Sequence, residues 1–586
     1  MILLDRAVLS RCKVTKLDFL KGIFANNFDN NIIKYKMAQK DYSLLSREEL
    51  VSLLMKYDDK KKYGIVWDEE RIPEKVVTDC QTHLPVLTEL KDKEIITNEE
   101  ELTHLLIEGD NYHTLSVLNY THQGKIDLIY IDPPYNTGNK DFIYNDKYVD
   151  TVDTYRHSKW LNFMSKRLEL ARELLTERGS IFISIDENEF AQLKMLCDKI
   201  FGEENFVIDI IWNSRKSVSN DTIISLNHNH TLFYAKKISF LQANKTKYRL
   251  KASDEKFSNP DNDVRGNWVA DPFDAPQIRK NLEYPIINPN TGETFYPPKG
   301  RHWRTTQEEF NKYSADGRIV FGKNGKTKPQ LKRFFTEAET KGISAKSIWD
   351  DVGTTTNGTQ ELEKMFGEKI FNNPKPTSLI KRILEIASFR DSIVLDFFAG
   401  SGTTGQAVIE YNKFDGGSRQ FILATNNENN NGYGRILDDV CYPRINKIFN
   451  GYENNKGEKI DGLGNNLKYF KTSFVENLKN RDQVRIDVTR RCTEMLCVKE
   501  GIYNLYKEAT DWKIFNYKER YLAIFYDFSG LRLNKLRDEM NSIKGDKVLY
   551  CFTSFSKLDS RDFTDWNNIK LEAVPEPILL LYNKIF

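Results

Sequence analysis

The chain has 586 residues and a mass of 68.4 kDa, room for roughly three to five domains at ~150 residues each. Its composition, 40% hydrophobic and 29% charged with a net charge of +2, is that of an ordinary globular protein; it does not announce a nucleic-acid binder, yet leaves room for a local basic groove. Seven scattered cysteines without a CxxC pair read as reduced thiols and no zinc site, and with no signal peptide and no apolar run of about 18 residues a cytoplasmic chain without a membrane span is expected.

Residues 1–95 read as a charged helical region, with "SREELVSLLMKYDDKKKYG" as one amphipathic helix. Then come a strand, "HLLIEGDN", a short helix, "YHTLSVLNYTHQG", and an apolar strand, "IDLIYI", that runs into Asp132-Pro133-Pro134-Tyr135. Trp160, Met164, Leu168, Ala171 and Leu175 make one stripe of a helix that Gly179 is expected to end. "SIFISID", "AQLKMLCDKIFG" and "NFVIDIIWN" continue the strand–helix alternation, which indicates a parallel sheet covered on both faces. From 215 to 345 the chain turns polar and loop-rich, with Lys and Arg interleaved with aromatics. The alternation returns with "SLIKRILEIAS", "DSIVLDFFAGSGTTG" and "RQFILATNNE", and a further α/β region follows 451.

Two stretches carry chemistry. Glycines 400, 402 and 405 stand between a strand and a helix, where a tight backbone turn and a helix amino terminus can receive a nucleotide-type ligand. Phe398 rules out the NAD form of that loop. Asp132 to Tyr135 suit a different task. The exocyclic amine of a nucleobase is a poor nucleophile because its lone pair is delocalised into the ring. A carboxylate (Asp132) and a rigid carbonyl (Pro133) can take its two N–H bonds and draw the nitrogen toward tetrahedral geometry. Pro134 stiffens the loop, and the Tyr135 ring offers a face for a flipped base. His228 and His230 read as part of a polar loop leading into a strand, and "GKNGKT" lacks the first glycine of a phosphate loop.

Asp132-Pro133-Pro134-Tyr135 resembles the catalytic motif of amino-methylating DNA methyltransferases, and Phe398-Ala399-Gly400-Ser401-Gly402 their F-x-G-x-G loop. The acidic loop comes first, as in the β group of adenine-N6 enzymes, and the surrounding "KYGIVWDEE", "NTG" and "EMLCVKEGIYN" are similar to the modification subunits of type III restriction systems. The resemblance implies a circularly permuted Rossmann-like α/β sheet that uses S-adenosylmethionine, with an inserted target-recognition domain. The expected segments are 1–95 (amino-terminal helices), 96–214 (first half with the acidic loop), 215–345 (target recognition), 346–450 (second half with the Gly loop) and 451–586 (an α/β association domain). It implies that Asp132, Pro133, Pro134 and Tyr135 are catalytic. Asp110, Asn372, Lys375, Pro376, Asp396, Phe398, Gly400, Gly402, Thr403 and Glu428 would hold the cofactor, with no metal.

Asp110 reads equally as a helix N-cap. The strand after the Gly loop ends in Thr425 where many relatives have an acid, so Glu428 is the nearest acid for the ribose. The expected partners are double-stranded DNA, a second copy of the chain and a separate motor–nuclease subunit. The alternatives are an orphan or cytosine-N4 methyltransferase and a non-catalytic DNA-reading scaffold.

Overall fold

The strand that ends in Asp132 sits deep in a sheet, and its apolar run explains why: every residue from Ile126 to Ile131 is buried, as a strand covered on both faces requires. In the computed structural model of the protein the described residues are Trp67 and 73–586, except 140, 323, 430, 431, 433, 478, 479 and 528–532. The helix expected at 46–64 lies outside them. Among the described residues ten strands join in one sheet: β1 (His83–Glu89), β2 (Thr103–Glu108), β3 (Ile126–Ile131), β4 (Leu175–Ile185), β5 (Phe206–Trp212), β6 (Asn229–Ala235), β7 (Ile348–Trp349), β8 (Ile393–Asp396), β9 (Gln420–Thr425) and β10 (Asn466–Glu476). Their spatial order is β1-β10-β2-β9-β8-β3-β4-β6-β5-β7. From β10 to β4 all neighbours are parallel, β6 runs antiparallel between β4 and β5, and β1 is antiparallel to β10.

Alternate side chains of each strand point to opposite faces, and two helical layers cover them. Leu105, Ile107, Ile129 and Ile131 face helices α1 (Asn111–Thr121), α2 (Arg156–Leu174) and α3 (Phe190–Phe201). Leu106, Leu128, Tyr130 and Val394 face α4 (Thr355–Phe366), α5 (Thr377–Ala387), α6 (Thr403–Asp415) and α7 (Tyr442–Asn450).

Four boundaries differ from the sequence expectation, the first being that β6 of the central sheet lies inside the segment expected from 215 for target recognition, which leaves the sheet only after it. Helix α2 stops at Leu174, and β4 starts at Leu175, which pairs with Ile126; Gly179 lies inside the strand. A Cβ at Gly179 would stand 2.9 Å from the Ile126 carbonyl oxygen, so this glycine serves the close approach of two strands and does not end a helix. The expected helical region before 95 contributes β1 to the sheet edge. The segment after 450 contributes β10, which pairs on both sides with β1 and β2, so a chain cut at 451 would leave the sheet incomplete.

After β10 come α8 (Arg481–Arg491) and α9 (Thr493–Glu500), whose Val484 and Leu496 join the core of the first face. A five-stranded sheet follows in the order β11 (Asn504–Ala509), β12 (Trp512–Tyr517), β13 (Arg520–Phe525), β14 (Asp546–Thr553), β15 (Ile569–Pro575). The last helix, α10 (Glu576–Ile585), returns to the main body: buried Tyr582 donates its hydroxyl to the Pro85 carbonyl at 2.6 Å.

Between β6 and β7 the chain makes an excursion. Leu250 and Ile343 close its neck with paired backbone bonds of 2.9 and 2.8 Å. Beyond the neck are short strands, among them Trp268–Pro272, Ile319–Val320 and Gln330–Phe334 in one sheet, and a small core of Phe273, Tyr284, Ile286, Trp303, Phe310 and Phe321. No helix among the described residues is long and apolar enough to cross a membrane.

Candidate functional site

Asp132 and Phe398 are 266 residues apart, yet adjacent strands bring their loops together. β3 and β8 pair in parallel with Leu128 opposite Val394 and Ile129 opposite Leu395, so the chains leave the sheet at the same end and nearly the same level. β9 and β2 end beside them, with Thr425 opposite Glu108. In open parallel sheets the crevice beyond the carboxyl ends of the strands is where ligands bind. Here it holds a cavity of about 370 Å³ whose walls include Asp110, Pro134, Phe398, Thr425 and Glu428.

On the acidic loop, the Tyr135 hydroxyl donates to Asp132 Oδ1 at 2.8 Å, and the Lys375 ammonium donates to Asp132 Oδ2 at 2.5 Å and to the Tyr135 oxygen at 2.9 Å. Burial, and then the Asp132 charge, push the Tyr135 phenol well above its ordinary range, so it acts as a neutral donor. The Trp160 indole donates to the Pro134 carbonyl at 2.7 Å and pins the second proline. Asn136, at φ +57°, turns the chain sharply after Tyr135; its amide donates to Glu189 at 2.5 Å, and His157 meets the same carboxylate oxygen at 2.7 Å. Glu189 is fully buried, and burial raises its carboxyl above the ordinary carboxylate range against the pull of these bonds. The loop is therefore clamped from α2, from the start of α3 and from Lys375.

The Gly loop is built around Asp396. Its carboxylate accepts from the Phe398 N–H at 3.0 Å and from the Thr404 hydroxyl at 2.5 Å, and burial pushes it up to about 7. Gly400 and Gly402 have φ of +50° and +78°, conformations that favour glycine. A Cβ on Gly402 would point at Cys441 Sγ, 3.0 Å away. Its lack of a side chain thus serves the turn and the packing of α7 behind the loop. Thr403 is buried; its hydroxyl donates to the Lys375 carbonyl at 3.2 Å and accepts from Arg444 at 2.8 Å. Arg444, itself fully buried, also donates to the Ser401 carbonyl and to Gln406.

Asp110 N-caps α1 through the Tyr112 N–H at 2.7 Å and also walls the cavity, so both readings of it hold in one residue. Buried Arg167 fixes it from α2, at 3.2 Å, while making two 2.8 Å bonds to Glu74. Asn372 is half-buried on the segment before α5, and Pro376 caps that helix. Neither lines the cavity, and Lys375 from the same segment reaches the acidic loop. Glu428 and Thr425 share the cavity wall. His230 has a carboxylate partner that the sequence did not reveal: Asp209, 2.9 Å away on the neighbouring strand. Trp160, Arg167, Glu189 and Arg444 were also missed, because their partners lie 26 to 93 residues away. The "NTG" after Tyr135 was the one visible signal, since Asn tolerates the left-handed turn found at Asn136.

Comparison with known proteins finds relatives among DNA methylases. The StyLTI Mod subunit of a type III restriction-modification enzyme from Salmonella typhimurium is 35% identical over 424 residues, 65% of this chain; the chain spans 62% of that subunit's length. The type II methyltransferase M.KpnI of Klebsiella pneumoniae is 34% identical over 60% of this chain and 89% of its own. The EcoPI Mod subunit of a type III enzyme from Escherichia phage P1 is 30% identical over 74% of each chain. The profile of the N6/N4 DNA methylases matches residues 126–459, a stretch that begins with the strand of the acidic loop and takes in the Gly loop. With both loops inside that match, the chain belongs to the N6/N4 DNA methylase family.

Proposed function

We propose that the protein is a site-specific DNA adenine-N6 methyltransferase and the modification subunit of a type III restriction system. The observation that carries this reading is the meeting of the acidic loop and the Gly loop at the ends of paired strands, where Pro134 of the one and Phe398 of the other wall the same cavity. The cavity fits S-adenosylmethionine by its lining: the Asp110 and Glu428 carboxylates for polar groups of the nucleoside and the Phe398 ring, at the start of the Gly loop, for its base. The cofactor supplies an electrophilic methyl group on a sulfonium. Every other requirement falls on the chain. Asp132 and the Pro133 carbonyl take the two N–H bonds of the adenine amine and localise its lone pair. A positioned acceptor of this kind is worth about 3–4 kcal/mol in the transition state. The Tyr135 ring stacks on the flipped base, worth about 1–3 kcal/mol. As the nitrogen gains positive charge, Asp132 stabilises it, and the amine proton then leaves to Asp132 or water.

The sheet is read as a permuted methyltransferase fold, because the strand with the Gly loop follows the strand with the acid in the chain. The excursion within 215–345 is read as the target-recognition domain: its Arg and Lys can hold phosphates and its Asn, Gln and Arg can read base edges. The amino-terminal residues and the sheet β11–β15 are read as the association surface for a second copy and for a separate motor–nuclease subunit. Light scattering of the full chain is expected to give twice 68.4 kDa. Sequencing the DNA of a host that expresses the chain is expected to show N6-methyladenine at one short motif; unmodified DNA from a host that accumulates folded protein would overturn the reading.

A further inference from the structure

Both oxygens of Asp132 are already engaged. Oδ1 accepts from Tyr135, a neighbour on the same loop, and Oδ2 accepts from Lys375, which arrives from the segment before α5. An amine that Asp132 is to polarise must take one of these places. The Tyr135 hydroxyl is held by the geometry of its own loop, so Oδ2 is the place that can change hands. The Lys375 side chain is 10% exposed, with its ammonium 5.9 Å from the centre of the Trp212 ring, and the Asp132 side chain is 28% exposed, so the pair is mostly withdrawn from water and the ammonium is the donor that Oδ2 has. A carboxylate oxygen that loses its donor in such surroundings is costly unless another donor replaces it. Charge adds a second reason for exchange: an ammonium left against Asp132 repels an amine nitrogen that becomes positive as it accepts a methyl group.

We infer that Lys375 is a specificity-determining positioning residue, whose ammonium guards Asp132 so that only a base bearing an exocyclic amine can replace it. The inference rests on the proposed adenine methyltransferase reading. A base with N–H donors gives Asp132 a new partner when Lys375 withdraws. A base without them leaves Oδ2 bare, and Lys375 stays. The lysine thereby sets the amine requirement at the moment the base enters, before any transfer.

The test measures binding by the full-length protein, without cofactor, to two duplexes that carry the motif identified in host DNA. One has adenine at the target and the other has purine, which lacks the amine. In Lys375→Met the carboxylate has no competing cation. Adenine duplex should then bind about ten-fold more tightly than to wild type, the scale of one hydrogen bond to a charged group. Purine duplex should bind as it does to wild type. Lys375→Arg, which keeps the charge, should resemble wild type on both. Lys375→Gln, which keeps a donor without the charge, should fall between, and it carries the comparison if Lys375→Met does not fold. Unchanged or weaker binding of the adenine duplex overturns the inference, and so does equal tightening of both duplexes. A wild-type protein that methylates no adenine refutes the proposed function instead, so the two failures are distinguishable.

Discussion

The central sheet and the excursion beyond Leu250 and Ile343 hold their shapes in different ways. In the sheet, Leu105, Leu128, Ile181 and Leu395 are wholly buried, and the loops at its carboxyl ends are fixed by buried polar groups such as Arg167, Glu189 and Arg444. The excursion has a core of a few aromatics, and much of its order comes from ion pairs: Lys332 with Asp261 and Asp263, and Lys328 and Arg301 with Asp274. It leaves Val264 fully exposed and Ile278, Ile287 and Tyr296 largely so. A surface carried on short strands and tied at a few points, such as buried Lys332 and Asp274, can change its exposed side chains without disturbing a shared core, whereas a change beside the sheet loops is transmitted through contacts that cannot relax. The proposed function assigns chemistry to the first region and discrimination to the second.

The largest effect expected on the sheet side is that of Asp132→Ala. It should lower methylation by about 100-fold or more, as loss of a positioned charge-stabilising group does. DNA binding should persist, because the phosphate and base-edge contacts proposed for the excursion do not involve Asp132. A variant that methylates at the wild-type rate would remove the assignment of the acidic loop.

Arg167→Met comes next. It leaves Glu74 and Asp110 without their buried cation, so urea unfolding should show a loss of about 3–5 kcal/mol. A loss no larger than that of an exposed ion pair would mean that the sheet loops are not braced from α2.

The third effect is one of pH. The Asp396 carboxyl is held protonated up to about 7 by burial, against an ordinary value of 3.8. Between these values the unfolded chain releases a proton that the folded chain keeps. This contribution to stability is full below about pH 4, declines as pH rises through about 7, and is level above that. In Asp396→Asn that decline should vanish from a series of denaturation curves; an identical pH dependence in both proteins would contradict the buried, protonated acid.

Gly402→Val should act more weakly. The left-handed backbone costs a side chain about 1–2 kcal/mol, and the new Cβ meets Cys441. Calorimetry should show weaker S-adenosylmethionine binding through a displaced loop; unchanged affinity in a folded variant would separate the loop from the cofactor. The smallest effect on rate is expected from exchange of residues 251–342 for the equivalent segment of a relative. The methylated motif should change while turnover stays within a few-fold, and a chimera that methylates the old motif would break the division of labour between the two regions.

How much of this was legible in the sequence follows the range of the interactions. β3, α5, β8 and β9 were visible because their apolar patterns are local, and the Asp132 and Gly402 loops because the special residues stand together. The contact between Lys375 and Asp132 spans 243 residues and could not be read from either segment alone. The same holds for β10, a half-polar strand whose place between β1 and β2 depends on chain some 360 residues away. Gly179 misled because a glycine after a helical stripe resembles a helix end, whereas here it admits the Ile126 backbone.

The most direct test of the account is to incubate duplex DNA with the purified protein and S-adenosylmethionine, digest it to nucleosides and identify the methylated product by mass spectrometry. The account predicts N6-methyladenine with the wild-type protein and none with Asp132→Ala. N4-methylcytosine as the product, or N6-methyladenine in equal yield from the variant, would contradict it.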